Sequence, residues 1–201
     1  VEMSSLPTYI SDSFDYVTKG LYVQDIWNAT DNLEIAIAIR FDHVKADFTS
    51  PLKPGTEIDN KLISPRIDMR YQHNDYFTSR LSGGRGYRAP LSFFETDHGI
   101  LDAGLGFAIE VSELEKSLSA SYALSYSGDV FNATASVAHT AVENLAALSV
   151  AENGVPTLTQ LTENGHVTAL TFEAGWTLTE EFKLNFTGET FFYDDIMRSM
   201  Y

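Results

Sequence analysis

Seven ionisable residues fall at alternating positions in three neighbouring stretches: Glu34, Arg40 and Asp42; Arg66, Asp68 and Arg70; and Arg80. In an extended chain, residues two apart share a side. There, guanidinium and carboxylate groups form charge-assisted hydrogen bonds with each other or with an oxygen-rich molecule. A dry core would impose a large desolvation cost on so many charges, so their surroundings must be wet. A second group, Glu95, Asp97 and His98, offers carboxylate and imidazole donors that could contact a metal chelate or a haem iron. A solvated acidic loop is the plainer reading of that group. Neither group is a catalytic constellation. Gly83-Gly84-Arg85-Gly86 lacks the Gly-Lys-Ser/Thr ending and following helix of a phosphate loop. Its glycines suit a bend or bulge at a strand end. The chain has no cysteine, which removes disulfides and Cys-based zinc sites. No enzymatic activity, no metal site and no cofactor are expected.

The elements that must carry these charges are strands. From Ser64 to Pro90 the chain reads as a hairpin, with Pro65, Ile67, Met69 and Tyr71 facing one way and Ser64, Arg66, Asp68, Arg70 and Gln72 the other. After the turn His73-Asn74-Asp75-Tyr76, Phe77, Ser79 and Leu81 alternate with Thr78, Arg80 and Ser82. The cleanest alternation is Leu33, Ile35, Ile37, Ile39 and Phe41 against Glu34, Ala36, Ala38, Arg40 and Asp42. Further strands are expected before Trp27, from about Leu118 to Tyr126, from Phe131 to Ala138, from Leu170 to Thr177 and from Lys183 onward. Loops are expected from His43 to about Leu62, from about Leu91 to Leu114 and from about Ala141 to Gly165.

A sheet with one greasy face and one charged face needs two solvents, and lipid outside with water inside supplies them. The longest apolar runs fall well short of the ~18 residues of a membrane helix, so insertion would be by strands of roughly 9–11 residues. Short and long connections alternate, as in transmembrane barrels whose turns are tight on one side. Aromatics flank each short turn: Trp27; Tyr71 and Phe77; Tyr126 and Phe131; Trp176 and Phe182. Such rings favour the headgroup boundary. With 28 acidic against 13 basic residues and a net charge of −15, a nucleic-acid partner is excluded. The expected fold class is therefore all-β: an antiparallel transmembrane β-barrel segment of about eight strands.

The order GLYVQDIW (20–27), a turn with Thr30-Asp31, LEIAIAIRFD (33–42), a long loop, SPRIDMRYQ (64–72) and LSGGRGYRAP (81–90) resembles the barrel of TonB-dependent outer-membrane receptors. Leu114-Glu115-Lys116-Ser117 matches that family's Pro-Glu-Lys-Ser element with its proline replaced, and Thr171-Phe172-Glu173 only echoes a later Gly-hydrophobic-Glu element. The resemblance extends from about residue 16 onward. It implies short periplasmic turns, long extracellular loops and TonB-driven uptake of a scarce solute, most simply a ferric siderophore or related metal chelate. Implied partners are outer-membrane lipid, a plug domain and, through the plug, TonB. Arg40, Arg66, Asp68, Arg70 and Arg80 would then face the lumen and contact the plug, with Glu95, Asp97 and His98 in an extracellular ligand-binding loop. The expectation is that residues 1–201 form part of such a barrel, without its plug. The alternatives are a complete small eight-stranded barrel with a structural or adhesion role, a haem or cobalamin receptor, or a soluble β-protein.

Overall fold

The structure, a computed structural model, describes residues 13–50, 53–88, 108–150 and 156–198. Its main body is an eight-stranded antiparallel sheet. In chain order the strands are β1 (Ser13–Thr30), β2 (Leu33–Ser50), β3 (Lys53–Gln72) and β4 (Phe77–Arg88). The next element is the short β5 (Ala108–Glu110). It is followed by β6 (Glu115–Ser127), β7 (Phe131–Glu143), β8 (Ala146–Val150) and β9 (Pro156–Gln160). The last two strands are β10 (Gly165–Thr177) and β11 (Lys183–Tyr193). One helical turn, α1 (Asp195–Arg198), follows β11. The main sheet runs β1-β2-β3-β4-β6-β7-β10-β11, while β5, β9 and β8 make a separate small sheet.

Register explains the faces. Trp27 stands opposite Ile35 and Ile35 opposite Met69; Ile37 opposes Ile67; Leu21 opposes Phe41 and Phe41 opposes Ile63. Each expected apolar face thus joins its neighbour's. The joined face is uncovered: Ile37, at its centre, is 56% exposed, and Leu21, Trp27, Ile67, Tyr122, Leu170 and Phe186 are exposed with it. From Leu33 to Phe41 it covers roughly 27 Å of strand at ~3.4 Å per residue, the scale of the ~25 Å lipid-facing band of a membrane barrel.

The four short turns gather at one end. Gln72 donates its N–H to the Asn32 carbonyl, Ser127 to that of Tyr76 and Thr177 to that of Val130, linking each turn to the next. Tyr126 sits among Tyr76, Phe77 and Phe131, with centroids 5.1–6.1 Å apart. That arrangement is a girdle; Phe77, Tyr126 and Phe131 come from the turn flanks singled out by the sequence, and Tyr76 from the turn itself.

At the opposite end the structure corrects two expectations. His43 to Leu62 is not a loop: β2 and β3 stay paired from Leu33 opposite Tyr71 up to Phe48 opposite Thr56, making one long hairpin. Ala141 to Gly165 is not simply a loop either, because β7 runs on to Glu143 and β8 and β9 follow. The described part of the remaining long connection holds β5, which pairs in parallel with β9. The small sheet packs on the raised hairpin and on β4. Val44, Ala46, Ile58, Val111, Leu114, Ala146 and Leu158 are buried there, with Leu62 and Tyr87 against them.

Candidate functional site

The charged residues do converge. Register places Glu34 opposite Arg70, Ala36 opposite Asp68, Ala38 opposite Arg66 and Arg40 opposite Ser64. It also places Arg66 opposite Gly84, Asp68 opposite Ser82 and Arg70 opposite Arg80. Arg40, Arg66, Asp68, Arg70 and Arg80 therefore share one face, the reverse of the apolar one. Glu95, Asp97 and His98 lie outside the described residues.

Each strand organises its own charges. Arg66 donates from Nε to Asp68 Oδ2 at 2.6 Å and from Nη2 to Oδ1 at 3.0 Å, and Ser82 Oγ donates to Oδ1 across the strand gap at 2.7 Å. Arg40 Nε donates to Asp42 Oδ2 at 2.7 Å. The Asp42 side chain is fully covered, and its second oxygen lies over Gly20, the residue directly opposite it on β1. Arg70 and Arg80 stand opposite each other without an ion pair to any described residue. Directly opposed like charges repel. These two exposed guanidinium groups hold ten donors between them for something outside the sheet.

Past β4 the polar face changes character. Its residues are Ser117, Ser119, Ser121, Ala123 and Ser125 on β6 and Asn132, Thr134, Ser136, Ala138 and Thr140 on β7. The hydroxyls pair across the gap, Ser119 with Thr140 at 2.9 Å and Ser125 with Thr134 at 3.0 Å. The seam between the charged and hydroxylated halves runs between β4 and β6, and next to it β4 stops pairing with β3 at Gly84. A Cβ on Gly84 would lie 3.1 Å from the Pro65 carbonyl oxygen, a tight contact that would push the strands apart by a few tenths of an ångström where they part. A cavity of about 370 Å³ opens there, lined by Arg66, Ser82, Gly84, Gly86, Ser117 and Ser119 among others.

Two polar hubs at the long-loop end escaped sequence reasoning. Glu115 is buried, accepts the Ala146 N–H at 3.0 Å and pairs with Arg88. Gln160 accepts from the N–H groups of Ser112 and Glu113 and donates to the carbonyls of Glu113 and Asn144. Glu115 ties the small sheet to β6, and Gln160 fastens β9 to the segments just before β6 and just after β7. Only Glu115 carried a signal, its place in Leu114-Glu115-Lys116-Ser117.

On the apolar side the greasy rows end abruptly. Above Leu21–Phe41–Ile63 come Lys19–His43–Lys61, then Val17–Lys45–Asp59, then Asp15–Asp47–Glu57. Asp59 takes Lys45 Nζ at 2.7 Å and His43 Nε2 at 2.6 Å. The Lys45 ammonium, followed by the imidazole, holds the Asp59 carboxyl below the usual carboxylate range, and Asp59 in turn raises Lys45.

Among the described residues no helix is long and apolar enough to cross a membrane, a fact silent on strands. A family model described as "TonB dependent receptor-like, beta-barrel" matches residues 3–199. No curated protein sequence matches. Several solved structures share the fold. One is a copper transporter, OprC, with a TM-score of 0.71 and 17% identity over 91% of this chain and 29% of that one. Another is the FrpB iron transporter from Neisseria meningitidis, at 0.63 and 13% over 92% of this chain and 27% of that one. A third is the alcaligin outer-membrane receptor FauA from Bordetella pertussis, at 0.62 and 15% over 90% of this chain and 31% of that one. The chain thus spans under a third of the length of each.

Proposed function

We propose that this chain, which belongs to the TonB-dependent receptor β-barrel family by the match over residues 3–199, forms part of the wall of an outer-membrane importer for a metal ion or metal chelate. The observation that carries this reading is the sheet's two faces: uncovered apolar rows on one side and an ionic, hydroxylated surface on the other. In water, exposed apolar area on this scale would drive association. In a bilayer it is the required outer surface. The neighbours support a metal cargo, their titles naming a copper transporter, an iron transporter and a receptor for alcaligin.

In this reading the ionic face is the lumen wall and the small sheet roofs its extracellular end. The barrel domain to which residues 1–201 belong encloses a plug. Arg70 and Arg80, exposed and near the short-turn end, are its natural contacts, with Arg40, Arg66 and Asp68 further along the same wall. TonB then acts through the plug. A ferric siderophore or related chelate is the first cargo to test, with Glu95, Asp97 and His98 as its loop contacts.

The test is uptake of radiolabelled iron chelates and of copper by cells lacking the gene, complemented with the full-length receptor or its Arg70→Ala/Arg80→Ala form. Deletion should abolish accumulation of one cargo, wild type should restore it, and the double variant should restore markedly less at equal outer-membrane abundance. Unchanged uptake of every metal cargo on deletion would contradict the reading.

A further inference from the structure

We infer that the cross-strand row Lys19–His43–Lys61 is a docking strip for the phosphates of anionic lipid headgroups in the surrounding leaflet. Register puts these three side chains directly opposite one another on β1, β2 and β3, one row above Leu21–Phe41–Ile63. Two lysine charges thus share one row, on either side of His43. Asp59 reaches His43 from the row above, but Lys19 and Lys61 have no ion pair among the described residues, and both are exposed. A row with no acid in it, in a chain with 28 acidic and 13 basic residues, calls for an external counter-charge.

The row's height selects the occupant. Below it the face is apolar. The all-acidic row Asp15–Asp47–Glu57 lies four residues further up β2, roughly 13 Å along the strand, and repels anions from higher positions. Hydrocarbon, then phosphate, then solvent is the layering of an anionic leaflet, and apolar, basic, acidic is the layering of this surface. Strand tilt of about 40° raises a register row by only roughly 3 Å per strand, so three strands keep the strip within one headgroup layer. A free phosphate would have no reason to sit on the rim of the apolar band.

The inference rests on the membrane-spanning reading, and one experiment separates the two. The full-length protein in dodecyl maltoside is titrated, by native mass spectrometry, with bis-phosphorylated lipid A, with dioleoyl phosphatidylcholine and with inorganic phosphate. At about 1 kcal/mol per surface cation, each lysine contributes roughly fivefold, so Lys19→Gln/Lys61→Gln should weaken lipid A binding about 25-fold and leave phosphatidylcholine unchanged. The single variants, each expected to lose about fivefold, give the same readout should the pair fold poorly. Lipid A affinity within about twofold of wild type, an equal loss for phosphatidylcholine, or displacement of lipid A by micromolar inorganic phosphate would each overturn the strip. Failure of the wild type to retain either lipid would overturn the membrane reading as well.

Discussion

Asp59 on β3 takes both Lys45 and His43 from β2, and the arrangement fixes the sign of its pH dependence. Its carboxyl is held down by Lys45 and then by His43. A carboxyl depressed on folding stabilises the protein above its unfolded value of about 3.9, and the contribution disappears as pH falls through the lower folded value. An NMR titration should place Asp59 below an ordinary aspartate, and Asp59→Asn should lose its difference from wild type at the acid end; a normal midpoint would refute the triad. Gly20 makes a steric claim. A Cβ there would strike the buried Asp42 carboxylate and push it off Arg40. Gly20→Ala should therefore destabilise by about 1–3 kcal/mol, and Asp42→Ala in the same background should recover much of that. Simple additivity of the two changes would show that the collision does not occur. The shared face of Arg40, Arg66, Asp68, Arg70 and Arg80 was legible in the sequence because extended chains place every second residue on one side. The partners of Glu115 were not, because Ala146 reaches it through a separate sheet 31 positions along the chain.

Among the elements, the hairpin β2–β3 shows why part of the fold was hidden. Between Leu33 and Phe41 the large apolar residues are odd-numbered, while above that the buried apolar residues are even-numbered: Val44, Ala46 and Ile58. The strands do not slip; their register is continuous from Tyr71 to Thr56. What changes is the solvent. Above the band the outer face meets water, so His43, Lys45 and Asp47 occupy it, and the inner face is dried by the small sheet. The hydrophobic phase inverts while the backbone continues, and together with Pro51, Pro54 and Gly55 that inversion reads as a loop. Short β8 and β9 have too few residues for any period to register. Their docking depends on Glu115, whose loss in Glu115→Ala would leave the buried Ala146 N–H without its acceptor, at a cost of about 1–3 kcal/mol. Hydrogen exchange should then quicken at Ala146 and Leu158 while the β6–β7 ladder keeps its protection. Uniform loosening of both sheets would show that the small sheet is not a separate unit.

For the whole molecule, everything turns on which solvent meets which face. The aromatic girdle at the turns, the apolar band and the charged rows above it make sense together only if lipid surrounds one face and water the other. Ile37 and Ala36 are neighbours on β2 that point to opposite faces, Ile37 between Asp25 and Ile67 and Ala36 between Ile26 and Asp68. Ile37 is 56% exposed, so in water arginine would be harmless there. In a bilayer, arginine at the centre of the band costs about 2–4 kcal/mol once Asp25, its partner opposite on β1, is removed, so both variants are made in an Asp25→Ala background; arginine at Ala36 still meets Asp68 and water. The decisive measurement is urea unfolding of the full-length receptor in liposomes, comparing Ile37→Arg with Ala36→Arg. A loss of about 2–4 kcal/mol for Ile37→Arg and of less than about 1 kcal/mol for Ala36→Arg is predicted. Equal effects, or no effect of Ile37→Arg, would contradict the assignment of the apolar face to lipid.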